Sequence, residues 1–351
     1  MNTFKVYTQF WFYLVSISLI LVIIINFTVD PYQRYRINKY YPLEYKSNLS
    51  RKLIPGLAKN SNYDTIITGS SMVENFLLSD LKKLGGNPIK FSMSGSTAFE
   101  INLVLKKVFS EKQNVRMVII GVDIPSFIGP IDRIKNGHSS FPFYLFNNND
   151  IIDHKYLISG DTFFESMKCL SRLIRYDRSP YVNDLEYMFQ WQHLHNESFT
   201  INNVHKSWLN VSTKPLCKDS WKLDNLIKSF NNNILEHISQ NQGTKFLLFF
   251  PPYSIYAYKL WYNNDLLGLV NEFKEHIDLS TKELENFELF DFQLSQDIIF
   301  NLDNYKDYSH YHQNINSLLI QHIINNRFNV KKLDYTNELF KLYNLVERFN
   351  F

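Results

Sequence analysis

The sequence predicts a three-layer α/β domain, in which a central parallel sheet of about five strands has helices on both faces, carried on an N-terminal transmembrane helix. The first observation is an uncharged apolar run near the N-terminus. The second is a later alternation of short apolar or β-rich runs with segments of helical periodicity, typical of right-handed βαβ units. The third is a hydrophobic content of 45%, which can fill a sizeable core and excludes global disorder. The 351 residues fit one large domain with an insertion, or two small domains.

Residues 10–29 contain no charged side chain and are dense in isoleucine, leucine, valine and phenylalanine. At a rise of about 1.5 Å per residue, a helix of this length crosses a hydrocarbon core about 30 Å thick. A cleaved signal peptide is the alternative, but the run is long for one and residues 26–31 lack a small-x-small cleavage site. We therefore expect residues 1–30 to form an uncleaved single-pass anchor.

The side of the membrane on which the body lies is harder to predict. Lys5 and the α-amino group precede the apolar run, whereas residues 34–52 carry six lysine or arginine side chains. A literal count of positive charges would place the body in the cytoplasm. Because that rule weakens when a long folded domain follows a single anchor, the orientation depends on the functional argument.

After a polar juxtamembrane connector, residues 31–63, the alternation of runs begins. In parallel α/β sheets the ligand site lies beyond the carboxyl ends of the strands, so the loops after the strands are the ones to inspect. The predicted strands are residues 65–68, 89–93, 117–122, 246–250 and 288–292, and the predicted helical segments are residues 73–84, 98–109, 223–239 and part of 266–287.

Residues 124–221 interrupt the alternation between the third and fourth predicted strands. This stretch is rich in Phe, Tyr, His and Asn and is too long for a bare loop, so we expect a partly helical insertion over the site. Its aromatic side chains could bind sugar faces or fill a core. Residues 64–330 would then form the α/β domain that contains the insertion, and residues 331–351 a C-terminal helix.

Several classes of site are not expected. The net charge is +3, and no basic block alternates with aromatic residues, so no nucleic-acid partner is predicted. Cys169 and Cys217 lack C-x-x-C spacing and predict no zinc site, and whether they form a disulfide is left open. His193 and His195 have no nearby carboxylate or cysteine pattern, so we expect neither a metal nor a cofactor.

Small and hydroxyl-bearing residues follow the first two predicted strands. The first strand ends in GSS at residues 69–71, so the hydroxyl of Ser71 can lie at a helix N-terminus, which favours developing negative charge. The second strand runs into SMSGST at residues 92–97, where the backbone of Gly95 can approach a ligand and donate its N–H. Taken alone, the first motif is also an ordinary turn and helix cap.

Asp307 and His310 follow the fifth predicted strand, within NYKDYSHY at residues 304–311. At the start of a helix, residues three apart face the same side. The carboxylate can then fix the imidazole tautomer while the other ring nitrogen accepts a proton from a serine, which is a poor nucleophile without such a base. The ordinary alternative is a capping aspartate and a surface histidine.

These blocks, in this order, resemble the SGNH/GDSL hydrolase superfamily. The resemblance implies a flavodoxin-like three-layer fold with Ser71 as the nucleophile and with Asp307 and His310 as its partners in a triad. It also implies an oxyanion hole built from the backbone N–H groups of Ser71 and Gly95. The resemblance extends over about residues 64–123 and 246–324 and leaves the insertion outside.

The chain departs from the family pattern in two blocks. The third block of the family usually reads Gly-x-Asn-Asp, but GVDI at residues 121–124 places Asp123 there, with no asparagine to complete the oxyanion hole. Losing one such donor costs about 2.7–4 kcal/mol, and an ionised Asp123 would repel an oxyanion unless it points away, is protonated or serves another role. Ser70 stands where aspartate is usual. Ser70, Asp123 and Tyr253, which ends a rigid Pro-Pro turn, are the residues that could line the site.

Both departures and the anchor are similar to those of a membrane-tethered subgroup that includes the lipoteichoic acid D-alanylation protein and the alginate-type O-acetylation proteins. The resemblance implies an extracytoplasmic body beside a multi-spanning membrane acyltransferase, against the positive-charge count. It implies a serine acyltransferase or esterase that moves an acyl group, with acetyl expected, to or from a cell-envelope polysaccharide. The alternative is an inactive scaffold or polysaccharide-binding partner with the same fold.

Overall fold

The structure is a computed structural model that describes residues 2–147, 154–175, 183–195, 198–213 and 216–350. A five-stranded sheet in the order β2-β1-β3-β4-β5 forms its centre. All neighbouring strands pair in parallel, which confirms the predicted α/β class and parallel sheet. The strands are β1 (Thr65–Gly69), β2 (Pro88–Ser92), β3 (Met117–Gly121), β4 (Lys245–Phe250) and β5 (Phe287–Asp291).

The helices of the described residues connect and cover these strands. A π-helical segment, Asn231–Leu235, joins α9 to α10. The α-helices are α1 (Asn2–Val29), α2 (Ser50–Asn60), α3 (Leu78–Leu81), α4 (Ala98–Glu111), α5 (Phe143–Phe146), α6 (His154–Ile158), α7 (Gly160–Arg175), α8 (Ile201–Ser212), α9 (Leu223–Phe230), α10 (Glu236–Gln240), α11 (Ile255–Asn263), α12 (Leu267–Thr281), α13 (Gln296–Ile299), α14 (Gln313–Ile324) and α15 (Tyr335–Arg348).

Both faces of the sheet are covered. Every residue of β1, β2 and β3 is buried, and successive side chains of a strand point to opposite faces, so the core extends above and below the sheet. The helices pack in two groups: α4 lies against α2 and α9, with α12 against α9, whereas α14 lies against α3. The terminal helix α15 packs on α11 and α12.

The connection between β1 and β2 is not the continuous helix that the sequence pattern over residues 73–84 predicts. It consists of a 3₁₀ turn, an irregular stretch and the short α3. The reason lies in the next strand: Lys90 is fully buried, and its Nζ donates to the backbone oxygens of Glu74 and Phe76 at 2.6 and 2.8 Å. The lysine therefore satisfies carbonyls that a helix would have satisfied with its own N–H groups.

Among the described residues, α1 alone is long and apolar enough to cross a membrane, and most of its surface is exposed. The end of α1 is fixed to the body by buried polar contacts. The Asn26 amide donates to the backbone oxygen of Leu157 at 2.8 Å. The Asp30 carboxylate accepts the N–H of Arg34 and the hydroxyl of Tyr156, both at 2.8 Å.

The expected connector is partly folded into the body, because it contains α2, which packs on α4. A Cβ at Gly56 would lie 2.3 Å from the backbone oxygen of Tyr32, so only glycine allows this close approach. The predicted insertion contains α5 to α8, and within it residues 148–153, 176–182, 196–197 and 214–215 lie outside the described residues. Cys169 is buried, Cys217 is exposed, and both thiols are free.

Candidate active site

The turn after β1 presents Ser71 at the carboxyl end of the sheet. Ser70 is buried, and its hydroxyl oxygen accepts the N–H of Met72, so it caps the 3₁₀ turn that begins at Ser71. Ser71 is partly exposed, and its Oγ lies 2.9 Å from Nε2 of His310, more than two hundred residues later in the chain. The fold therefore brings the first and last sequence blocks into hydrogen-bond contact.

Asp307 orients the imidazole from its other side. Nδ1 of His310 lies 2.8 Å from Oδ2 of Asp307, while Oδ1 accepts the backbone N–H groups of Ser309 and His310 at 2.9 and 2.8 Å. The pair lies in this aspartate-centred turn and not at the start of a helix, since α14 begins only at Gln313. With Nδ1–H donated to the carboxylate, Nε2 is left to accept the proton of Ser71.

The Asp307 carboxylate is held in its charged form. Burial would raise the pKa of Asp307, but the hydrogen bond and charge of His310 and the N–H groups of the turn lower it well below the ordinary value. A permanently ionised carboxylate stabilises the imidazolium that forms when His310 takes a proton. Ser71, His310 and Asp307 thus form a continuous hydrogen-bonded chain of the kind found in serine catalytic triads.

The lowered pKa of Asp307 predicts a pH-dependent stability difference. A carboxyl whose pKa falls on folding stabilises the folded state above its ordinary pKa of about 3.9, and this contribution is lost as the pH falls through the folded-state pKa. Thermal melts should show Asp307→Asn less stable than the wild type at about pH 5, by a margin that shrinks as the pH falls below about 4. A margin that stays constant at low pH would contradict the assigned charge state.

The loops after β1 and β2 are joined by a backbone hydrogen bond and contain the two predicted oxyanion donors. The N–H of Met93 donates to the oxygen of Gly69 at 3.0 Å, which ties the loop after β2 to the loop after β1. Gly95 has a φ of +57°, a left-handed conformation that suits glycine. The N–H groups of Ser71 and Gly95 have no acceptor in the described part of the chain, so both remain available as hydrogen-bond donors.

Gly95→Ala tests the loop directly. An alanine there would adopt a left-handed conformation at a cost of about 1–2 kcal/mol, and its Cβ would lie 2.7 Å from Nζ of Lys135. We expect a lower melting temperature and a loss of ester turnover of about tenfold or more, because the donor N–H shifts. Gly137→Ala is the matched control, since Gly137 also has a positive φ but nothing within 4 Å of its Cβ position. Equal turnover in the two variants would remove Gly95 from the site.

The side chain of Asp123 is hydrogen-bonded to a neighbouring residue. It provides no N–H donor at the position where the family usually has an asparagine. The hydroxyl of Tyr253, a buried residue, donates to Oδ1 of Asp123. Burial, and after it the charge of Asp123, raises the pKa of Tyr253 well above its ordinary value, so the phenol keeps its proton. The Asp123 side chain therefore accepts the hydrogen bond of Tyr253 and supplies no amide N–H at this place.

The insertion supplies a residue that the sequence did not single out. Trp191 donates its indole N–H to the backbone oxygen of Ser71 at 3.1 Å, and its ring meets that of His310 edge-on at 5.4 Å between centroids. Nζ of Lys306 lies 4.4 Å from the centroid of the same indole. The side-chain oxygen Oδ1 of Asn75 accepts the backbone N–H of Trp191 and so holds the tryptophan beside Ser71. One insertion aromatic therefore forms a wall of the triad, and nothing local in the sequence distinguished it.

A cavity of about 620 Å³ adjoins this wall. It lies between the segment before and within α2, the loop after β2 and the insertion. In the wall of this cavity, Nη2 of Arg51 lies 2.9 Å from Oε2 of Glu100 and forms a salt bridge with it. Its lining includes Tyr45, Arg51, Ser94, Lys135, Tyr187 and Trp191. The cavity therefore combines aromatic surface with polar groups next to Gly95, which is a lining suited to a polar ligand with apolar faces.

No protein-family model matches the chain, and no curated protein matches its sequence. Within the described ranges, no group of three or more His, Cys, Asp or Glu side chains could hold a metal ion. The chemical capacity of the site therefore lies in Ser71, His310 and Asp307, the loop of Gly95 and the adjoining cavity.

Proposed function

We propose that the protein is an SGNH-type serine acyltransferase or esterase. The single observation that carries this proposal is the connected set Ser71–His310–Asp307, with hydrogen-bond distances of 2.9 and 2.8 Å. The strand order β2-β1-β3-β4-β5 is that of flavodoxin-like doubly wound sheets and supports the resemblance to the superfamily. The three triad residues follow β1 and β5, where such sheets bind their ligands.

The proposed reaction consists of two half-reactions, acylation and deacylation of Ser71. Oγ of Ser71 attacks the carbonyl carbon of an ester, its proton passes to Nε2 of His310, and the oxyanion is bound by the N–H groups of Ser71 and Gly95. The intermediate collapses to acyl-Ser71, and His310 gives the proton to the departing alcohol oxygen. An incoming hydroxyl or water then loses its proton to His310, attacks the acyl carbon, and restores free Ser71 when the proton returns to Oγ.

Transfer and hydrolysis share the first half-reaction. They differ in the nucleophile that attacks acyl-Ser71, which is an acceptor hydroxyl in transfer and water in hydrolysis. The cavity beside Trp191 has room for an acceptor sugar, and its lining combines the exposed aromatic ring of Tyr187 with polar side chains such as Lys135 and Asn136. We therefore favour transfer of an acyl group, with acetyl expected, to a hydroxyl of a cell-envelope polysaccharide. An extracytoplasmic body beside a multi-spanning membrane acyltransferase partner completes this proposal.

The proposal is tested by the fate of the acyl group. The full-length protein in lipid nanodiscs would be given an aryl acetate with and without acetylatable oligosaccharides, and the products identified by mass spectrometry. Acetylated oligosaccharide supports transfer, free acetate alone supports an esterase, and neither product with a folded protein contradicts both. A reporter fused to the C-terminus, active only on one side of the membrane, tests the orientation.

A second candidate is an inactive scaffold or polysaccharide-binding partner of a membrane acyltransferase. The observation that favours it is the Asp123–Tyr253 pair, which leaves the oxyanion hole without a side-chain amide at that place. Unchanged polysaccharide binding after replacement of Ser71, His310 and Asp307 together, with no turnover in the wild type, would favour the scaffold.

A further inference from the structure

Helix α7 presents an apolar face to its surroundings. Phe164, Met167 and Ile174 are exposed to 68%, 43% and 84%, values uncommon for large apolar side chains of a folded body. Their spacing of three and seven residues places them on one side of the helix, together with the half-buried Phe163 and Leu170. We call these five residues the α7 apolar face.

The other side of α7 is the side that packs on the protein. Its buried residues include Glu165, Ser166 and Cys169. The hydroxyl of Ser166 donates to Oδ1 of Asn26 in α1 at 3.2 Å, and Cys169 packs against Val29, the last residue of α1. The middle of α7 therefore lies beside the final turns of α1, with the α7 apolar face directed away from the body.

The place at which α7 contacts α1 indicates what covers the α7 apolar face. A helix that crosses the bilayer from its N-terminal side has its final turns at the membrane–water interface. Leu170 of the α7 apolar face packs, together with Ile25, on the cluster that contains Val29 and Cys169. The apolar face is thus continuous with the lipid-exposed surface of α1, at the depth of the interface.

The charged side chains of α6 and α7 are also consistent with a location at the membrane–water interface. Lys155, Lys168 and Arg175 are exposed. Amphipathic helices that lie in the interface combine an apolar face with lysine and arginine at the level of the lipid phosphates. Exposed apolar and basic side chains therefore occur together at the end of the proposed membrane span.

We propose that α7 lies in the interfacial layer of the lipid bilayer, with the α7 apolar face toward the acyl chains. The body then has two membrane attachments, the spanning α1 and the interfacial α7. Nζ of Lys52, which lines the cavity, pairs with Asp161 of α7 at 2.9 Å. This second attachment fixes the height and tilt of the cavity over the membrane, and it holds whether or not Ser71 is a nucleophile.

Site-specific lipid quenching tests the proposal on the full chain in nanodiscs of phosphatidylcholine and phosphatidylglycerol. In a Cys217→Ser background, a single cysteine at Phe164 or Ile174 would carry an NBD fluorophore, and Phe340→Cys is the matched control. Phe340 is an exposed aromatic residue of α15, which packs on α11 and α12, whereas α1 packs on α6 and α7. Cys169 stays unlabelled, because burial raises the pKa of its thiol to about 12.

Because an interfacial helix buries its apolar face about 5–10 Å below the headgroups, lipids with a nitroxide high on the acyl chain are the quenchers. We expect quenching at Phe164 and Ile174 at least about twofold stronger than at Phe340. Equal quenching at all three positions would overturn the proposal. Weak quenching in nanodiscs, combined with protection from a water-soluble maleimide in native membranes, would assign the face to a protein partner and also overturn it.

Discussion

Turnover of an aryl acetate by the full-length protein is expected to fall by about 10⁴-fold or more when Ser71 is replaced by alanine. The reason is that Oγ of Ser71 lies 2.9 Å from Nε2 of His310, the nitrogen left to accept a proton, whereas the hydroxyl of Ser309 lies at Nδ1, the nitrogen that faces Asp307. Initial rates of aryl release would be compared for the two purified proteins.

Ser280→Ala is the matched control for this loss. The hydroxyl of Ser280 bonds only locally, to the backbone oxygen of Ile277 within α12, so its removal should leave turnover unchanged. If Ser71→Ala kept wild-type turnover at the same melting temperature, Ser71 would not be the nucleophile.

Asp307→Asn is expected to lower turnover by about 10⁴-fold while leaving the fold intact. An amide can donate to Nδ1 of His310, which moves the ring proton to Nε2 and leaves that nitrogen unable to accept the proton of Ser71. The loss should appear in kcat and not in KM, because the change of tautomer removes the proton acceptor of Ser71 and leaves the shape of the site unchanged.

Asp334→Asn serves as the comparison for this change, since Asp334 is an exposed residue that precedes α15 far from the triad. A loss confined to KM in Asp307→Asn, with kcat unchanged, would mean that Asp307 acts on binding and not on the base.

The sequence predicted the sheet and the positions of the reacting groups because both follow from short-range rules. Buried parallel strands are continuous apolar runs, and ligand sites lie at their carboxyl ends, so Ser71 and Gly95 could be placed before any coordinates were known. His310 could be assigned as the base because it follows Asp307 at a fixed spacing after the last strand. The structure brings Ser71, His310 and Asp307 together in the expected loops, and the role of Gly95 stays a prediction.

Other parts of the site depend on contacts between distant segments, which periodicity does not report. The broken helix after Ser71 requires a buried Lys90 on the neighbouring strand, whose ammonium binds the free carbonyls. Trp191 reaches the triad because Asn75 holds its backbone, a contact over more than a hundred residues. The pairing of Asp123 with Tyr253 likewise joins two different loops.

Covalent labelling with a serine-directed fluorophosphonate, followed by mass-spectrometric mapping of the modified peptide, tests the central claim most directly. The wild type in nanodiscs should be labelled at Ser71, and labelling should be lost in Ser71→Ala and in His310→Ala. Labelling at another serine, or no labelling of a wild type whose melting profile shows it to be folded, would contradict the assignment of Ser71 as an activated nucleophile.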